Sequence, residues 1–177
     1  MILDGLLMFD NVQNFTGYVA GTYQSTNVLD LHVVNGGLPV LASGQGARDI
    51  GIGDDPAMKL FIGVTVAFTG GTNLIAKFEG APDNGSGAPS TYVTYLTSAT
   101  VLLANLTVGA RIMDVDVPRP PPDTTFPRFL RLEYVTTGTM TAGTIEAGLV
   151  LDRPDQPLLG TATPYWGGYP AGIIVVN

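Results

Sequence analysis

Residues able to carry chemistry are few in this sequence. It contains no cysteine and a single histidine, His32, which excludes thiol nucleophiles, thiolate zinc sites and any site needing two imidazoles from one chain. Asp114 and Asp116 share one face of a predicted strand and could form a hydrolytic or metal-binding pair, but a solvated strand face is the simpler interpretation. No GxSxG motif supports a Ser-His-Asp triad, so we interpret His32 as a structural or interface residue. The sequence therefore predicts no enzyme, no cofactor and no metal.

Two short motifs have both a chemical and a structural interpretation. GIGDD at residues 51–55 suggests a phosphate loop or a cation site, but it lacks the Lys and Ser/Thr of a P-loop and the ligand spacing of an EF-hand. A tight loop is therefore favoured. In YWGGY, Tyr165, Trp166 and Tyr169 cluster between two prolines. Three roles are open for such a cluster: it packs on the core of its own subunit, it anchors a partner protein, or it stacks on a sugar.

Composition limits the class of partner. The 177 residues are 45% hydrophobic and 13% charged, with a net charge of −7. An acidic chain gains no general affinity for a phosphate backbone, so nucleic acid is not an expected partner. No apolar run approaches the roughly 20 residues of a membrane helix, and residues 1–9 contain no Lys or Arg, unlike a signal peptide. We expect a soluble protein made and folded in the cytoplasm, without membrane contact.

A period of two dominates the hydrophobic pattern. Residues 58–69 predict a long half-buried strand, residues 130–134 and 144–152 repeat the alternation, and shorter pieces raise the count to eight or nine strands. Helix formers are scarce, so the sequence predicts an all-β jelly roll or β-sandwich of antiparallel strands, with little or no helix. The residues expected on the inner faces are Leu60, Ile62, Val64, Val66, Leu130, Leu132, Tyr134, Ala147 and Leu149.

The connections between strands carry turn chemistry. Gly70 and Gly71 lie between two strand patterns at the spacing of a β-hairpin, and residues 137–143 join the next pair, so both predict antiparallel neighbours. Three longer connections are candidate contact surfaces: residues 35–56, 79–90 and 118–127. The second is expected to be flexible and exposed. The third, PRPPPDTTFP, is expected to run largely as polyproline II and not as a central strand.

We expect a single domain over residues 1–177, with an N-terminal arm at 1–24 and a C-terminal segment at 158–177. The apolar start of the arm must dock on its own subunit, on a neighbour or on a partner. Arg128 and Arg131 pair with carboxylates within the subunit or with those of a neighbour. The candidate interface residues are Leu3, Leu6, Leu7, Phe9, Arg48, Asp49, Ile50, Arg119, Pro120, Pro121, Pro122, Tyr165, Trp166 and Tyr169.

Five segments of the chain carry a family resemblance. They are MILDGLLMFD at 1–10, STNVLDL at 25–31, ARDIGIGDDPAMKLFIGVTVAF at 47–68, GARIMDVDVP at 109–118 and RFLRLEYVTTGTMTAGTIEAGLVLDRPDQP at 128–157. In this order they resemble the small capsid cement, or head decoration, proteins of tailed bacteriophages. The resemblance covers most of the chain, while YWGGY, the proline-rich stretch and the loop at 79–90 depart from it.

The resemblance implies a particular function and location. It implies a jelly-roll subunit, usually trimeric, that binds the outer surface of an icosahedral virion head and bridges neighbouring copies of the major capsid protein. The alternative is a receptor- or carbohydrate-binding β module of a phage fibre or adhesin tip, which the aromatic cluster at residues 165–169 favours.

Overall fold

The computed structural model describes residues 5–31, 58–122, 124–125 and 127–151, without the side chains of Leu6 and Leu151. Short 3-10 helices lie at Gly5–Leu7 and Leu103–Asn105. Within the described residues there are ten strands, namely β1 (Met8–Asn14), β2 (Gly21–Gln24), β3 (Leu29–Asp30), β4 (Met58–Gly70), β5 (Asn73–Ala81), β6 (Val93–Thr97), β7 (Val101–Leu102), β8 (Arg111–Asp116), β9 (Phe129–Thr137) and β10 (Met140–Leu151).

The strands form two antiparallel sheets in jelly-roll order. Sheet A has the order β1-β10-β4-β8, and sheet B has the order β2-β9-β5-β6, with β3 also paired to β9 and β7 to β5. Because β2 and β3 share one side of β9, and β6 and β7 share one side of β5, the ten strands fill eight positions. Four positions in each sheet, visited in this interleaved order, make the double Greek key of a jelly roll. The predicted all-β fold is therefore confirmed.

The two tight turns predicted as hairpins instead connect the two sheets. β4 belongs to sheet A and β5 to sheet B, and β9 and β10 are divided in the same way. The two turns meet at one corner of the sandwich, where the Thr72 N–H donates to the Thr137 carbonyl at 2.6 Å. The hairpin prediction was wrong because pairing with distant strands, and not the short turn, decides the neighbours of each strand.

Replacing Gly71 by alanine at this corner is expected to lower the free energy of unfolding by about 3 kcal/mol. Gly71 has a φ of +67°, and an added Cβ would lie 2.5 Å from Sδ of Met140 and 3.1 Å from the Thr137 carbonyl oxygen. Met140 is fully buried, so the cost combines an unfavourable backbone conformation with overpacking. Urea denaturation of the purified variant measures the change.

Gly85 provides the matched control for this substitution. Its φ is +90°, but an added Cβ would meet no atom within 4 Å. Gly85→Ala should therefore lower the free energy of unfolding by only about 1 kcal/mol, the cost of the unfavourable backbone conformation alone. Equal losses for the two variants would show that the packing of the two turns does not contribute to stability.

The core lies between the two sheets and is rich in aromatic side chains. The ring of Phe15 contacts those of Tyr18, Phe68 and Tyr134 at centroid distances of 5.1, 5.2 and 5.4 Å. Residues from both sheets join one buried cluster, which gives the sandwich a single hydrophobic core. The confirmed inner-face predictions are Leu60, Ile62, Val64, Leu130, Leu132, Tyr134, Ala147 and Leu149.

Val66 is the exception to the predicted alternation, since 49% of the residue is exposed. Between the pairs Val64–Ile145 and Val66–Thr144, β4 advances two residues while β10 advances one. This β-bulge turns Val66 to the outer face of sheet A. A second irregularity farther along β4 restores the alternation, and Phe68 is buried again.

The connection predicted at residues 79–90 is shorter than expected. Its first three residues still belong to β5, and Glu79 is buried. The exposed part is tied by local hydrogen bonds, in which Asp83 Oδ1 accepts the N–H groups of Gly85 at 2.8 Å and Gly87 at 3.0 Å. Such side-chain-to-backbone turns give this loop a defined shape. The connection predicted at residues 35–56 lies outside the described residues.

Candidate interaction surfaces

The candidate residues near the amino terminus pack on their own subunit where the structure describes them. Phe9 lies in β1, is fully buried and packs edge-to-face on Phe78 at 6.0 Å. Its assignment to an interface is wrong, because its side chain fills the core. Leu7 is half-buried and packs against the same core. Leu6 belongs to the short helix before β1, its side chain being outside the described part, as is all of Leu3.

The region predicted as an N-terminal arm contains two strands. β1 forms one edge of sheet A and β2 one edge of sheet B. No strand was predicted in this region, because β1 and β2 are short and β1 is interrupted by register shifts, so their alternation is hard to detect. The residues of β1 and β2 are therefore part of the sandwich.

The proline-rich connection leads from β8 in sheet A to β9 in sheet B. Its described residues form no strand, as predicted. A turn interrupts its extended course, because the Thr124 N–H and hydroxyl donate to the Pro121 carbonyl at 3.3 and 2.6 Å. Of the candidate residues, Arg119 and Pro122 are exposed, while Pro120 and Pro121 are half-buried. Arg119 and Pro122 are thus available to a partner.

The other candidates lie outside the described residues and stay predictions. They include the single histidine and the whole aromatic cluster, and they are His32, Arg48, Asp49, Ile50, Tyr165, Trp166 and Tyr169.

Asp114 and Asp116 share the outer face of sheet A, as the sequence predicts. Asp114 forms an ion pair with Arg111 at 2.8 Å, and Asp116 forms one with Lys59. Each carboxylate is thus neutralised by a cation of the same subunit. Within the described ranges, no group of three or more His, Cys, Asp or Glu side chains is placed to hold a metal ion.

A ladder of opposite charges covers the outer face of sheet B. Lys77 binds Glu133 at 2.8 Å, and Arg131 binds Glu79 at 2.8 Å and approaches Glu133 at 3.6 Å. The guanidinium of Arg131 also lies 3.7 Å from the ring centre of Tyr92, in a cation–π contact. Burial raises the pKa of the Tyr92 phenol. The charges of this face are satisfied within the subunit.

Arg128 clamps the end of β3 to the loop that follows β5. Its guanidinium donates to both carboxylate oxygens of Asp30 at 2.9 Å and also to Asp83. Hydrogen bonding to Asp30 is the main cause that raises the pKa of Arg128. For both arginines, the interpretation as a pair within the subunit is therefore confirmed.

The outer face of sheet A has two parts. The ion pairs of Asp114 and Asp116 lie where β4 pairs with β8, whereas the side chains near the sandwich corner are mostly small and uncharged. We call the part near the sandwich corner the threonine face. Within it, the hydroxyls of Thr65 and Thr144 lie 2.6 Å apart, and those of Thr69 and Thr141 lie 2.9 Å apart. Its members are Asn14, Thr65, Val66, Thr69, Thr141, Thr144 and Glu146.

Glu146 is the one charged residue of the threonine face. It lies on β10 opposite Gly63, and burial raises the pKa of its carboxyl group. The sequence placed this side chain on the outer face of its strand but gave no sign that it would lack a counter-charge. To predict that no cation faces Glu146, one must know how β10 pairs with β4 and how β4 pairs with β8. A single sequence does not supply these registers.

The comparisons with known proteins match the chain to one family. The model of the Bbp16 family matches residues 16–149, a stretch that contains β2 to β9 and most of β10. No curated protein matches the chain, and no helix in the described ranges is long and apolar enough to cross a membrane. Because the match spans about three quarters of the sequence, the chain belongs to the Bbp16 family, whose name is of a kind given to bacteriophage proteins.

Proposed function

We propose that this protein is a head decoration, or cement, protein of a bacteriophage. It binds the outside of the assembled shell and stabilises it by bridging copies of the major capsid protein. The observation that carries the proposal is the complete jelly-roll strand order, found in a chain of a phage-type family. This is the fold that the resemblance to cement proteins implies. The segments carrying that resemblance supply all or part of every strand in sheet A.

Stabilisation by such a protein follows from linkage and requires no catalysis. A protein that binds the assembled lattice but not the separated subunits shifts the equilibrium toward the intact shell. Each bound copy contributes RT ln(1 + [L]/Kd), or about 2.7 kcal/mol when its free concentration is 100 times Kd. A homotrimer attaches at several points at once, which raises the avidity of weak individual contacts.

Co-sedimentation with purified shells of the cognate phage tests this function. We expect saturable binding to assembled shells, no binding to free major capsid subunits, and a higher melting temperature of the decorated shell. Light scattering of the free protein should give the mass of a trimer. Absence of saturable binding to shells would refute the proposal. A glycan-array signal that is lost in Trp166→Ala would then favour the receptor-binding alternative.

A further inference from the structure

Glu146 differs from every other carboxylate in the part of the chain that the structure describes. It makes neither an ion pair nor a hydrogen bond there, whereas the others are held by cations or, for Asp10, by N–H and O–H donors. The local packing explains why. The ring of Phe61 lies over Gly63, directly opposite Glu146, and Arg111 on the far side of Gly63 binds Asp114.

A half-buried carboxylate without a counter-charge is unfavourable for the free subunit. Partial removal from water penalises the ionised form, and burial accordingly raises the pKa of Glu146. A cation supplied by a binding partner would relieve this penalty. The cation and the Glu146 carboxylate would form a charge-assisted hydrogen bond, which is stronger than a hydrogen bond between neutral groups.

The surroundings of Glu146 suit a protein interface. From Gly63 to the corner at Gly70, β4 carries no charged residue, and β10 carries none but Glu146 from Met140 to that position. The threonine hydroxyls bond to one another in pairs, and exposed Val66 adds apolar area. The centres of protein interfaces are depleted of charge in the same way.

We infer that the threonine face is the surface that docks on the shell, and that Glu146 there receives an arginine or lysine side chain of the shell protein. This inference rests on the proposed function and adds the face and the chemistry of the contact. The outer face of sheet B is the less suitable surface, because its charges already neutralise one another. Charge complementarity therefore selects the threonine face.

Shell binding by Glu146→Gln tests the inference, because this change removes the charge and keeps the shape. We expect Kd for the shell to rise about tenfold, which is the change in affinity that the loss of one charge-assisted hydrogen bond produces. Binding of the variant should also depend less on salt concentration than that of the unchanged protein. Its melting temperature as a free protein should not fall, because the variant no longer holds an unpaired carboxylate.

A pair of lysine variants separates the two outer faces. Val66→Lys adds a positive charge to the threonine face and should weaken shell binding. Thr22→Lys adds the same charge to an exposed position on the outer face of sheet B and should leave binding unchanged. Comparable melting temperatures of the two free variants ensure that the comparison reports on docking.

The remaining outcomes assign failure to one proposal or the other. If the unchanged protein binds shells saturably while Glu146→Gln and Val66→Lys bind equally well, the docking face is wrong and the function stands. If the two variants instead dissociate the free oligomer, the threonine face joins copies of this chain and the inference is overturned. If the unchanged protein does not bind shells, the proposed function itself fails.

Discussion

Replacing Val64 by aspartate is expected to abolish soluble expression. Val64 is buried in the middle of β4, and its side chain belongs to the core between the sheets. An aspartate there would bury a carboxylate without partners, or force its protonation, at a cost above about 4 kcal/mol. That cost approaches the whole stability of an ordinary domain, about 5–15 kcal/mol. The soluble fraction after expression, and circular dichroism of any recovered protein, measure the result.

Val66→Asp is the matched control, because it places the same side chain two residues farther along the same strand. The bulge in β4 turns Val66 outward, so an aspartate at this position keeps its hydration. We expect the variant to be soluble and to lose less than about 1 kcal/mol. If Val64→Asp were as stable as Val66→Asp, the register of β4 against β10 would be wrong.

This pair of valines shows what the sequence could and could not predict about the fold. Regular alternation identifies a strand and its buried face, because one face of each strand must point into the core. The bulge at Val66 depends on how β4 pairs with β10, some eighty residues away along the chain. Alternation in a single strand carries no information about such a partner, so the strand was predictable and its irregularity was not.

The same distinction applies to the corner at Gly71. The adjacent glycines Gly70 and Gly71 mark a tight turn in the sequence, and the structure has that turn, with both residues at a positive φ. Whether the turn joins neighbours in one sheet or strands in two sheets depends on the pairing of β4 with β10 and of β5 with β9. The local signal was correct, and only the partners were assigned wrongly.

The candidate surfaces were harder to predict than the fold. Apolar character selected Phe9 as an interface residue, but a side chain able to cover a partner is equally able to fill its own core. Glu146 shows the opposite case, because its distinctive property is the absence of a counter-charge nearby. That property depends on Gly63 and Phe61 of the neighbouring strand, which no local motif reveals.

Asp10 contrasts with Glu146, because its carboxylate is fully buried and accepts hydrogen bonds from its neighbours. Its carboxylate accepts the Thr26 N–H at 2.6 Å and the Tyr134 hydroxyl at 2.7 Å, and the residue is fully buried. Burial and the Asp10 charge raise the pKa of Tyr134, so its hydroxyl stays protonated and donates. The bond from Tyr134 ties β1 of sheet A to β9 of sheet B, and the bond from Thr26 ties β1 to the connection between β2 and β3.

Asp10→Leu is expected to lower the free energy of unfolding by about 3 kcal/mol. It leaves the Tyr134 hydroxyl buried without an acceptor, which costs about 1–3 kcal/mol, and it also removes the acceptor of the part-buried hydrogen bond from the Thr26 N–H. Adding Tyr134→Phe removes one of these donors. The double variant should therefore be more stable than Asp10→Leu alone, although Tyr134→Phe alone is destabilising. Strictly additive losses in denaturant unfolding would contradict the hydrogen bond.

The pH dependence of stability provides an independent test of the burial of Asp10. Burial is the main cause that raises its pKa above the ordinary value of 3.8, and the hydrogen bonds from Thr26 and Tyr134 oppose the shift only in part. At a pH between 3.8 and the raised pKa, the Asp10 carboxyl group is protonated in the folded protein but ionised in the unfolded chain. The contribution of Asp10 to stability must therefore fall as the pH rises across this window.

Asp10→Asn is the reference for this measurement, because the amide does not titrate. The melting temperature of the unchanged protein minus that of the variant should decrease from about pH 4 to pH 7. Asp83 has the opposite behaviour: although partial desolvation opposes it, hydrogen bonds from Gly87, Gly85 and Arg128 lower its pKa, so its stabilisation is lost as the pH falls. That contribution is common to both proteins and cancels in the difference. A difference that stays constant or rises with pH would mean that the folded protein does not penalise the Asp10 charge.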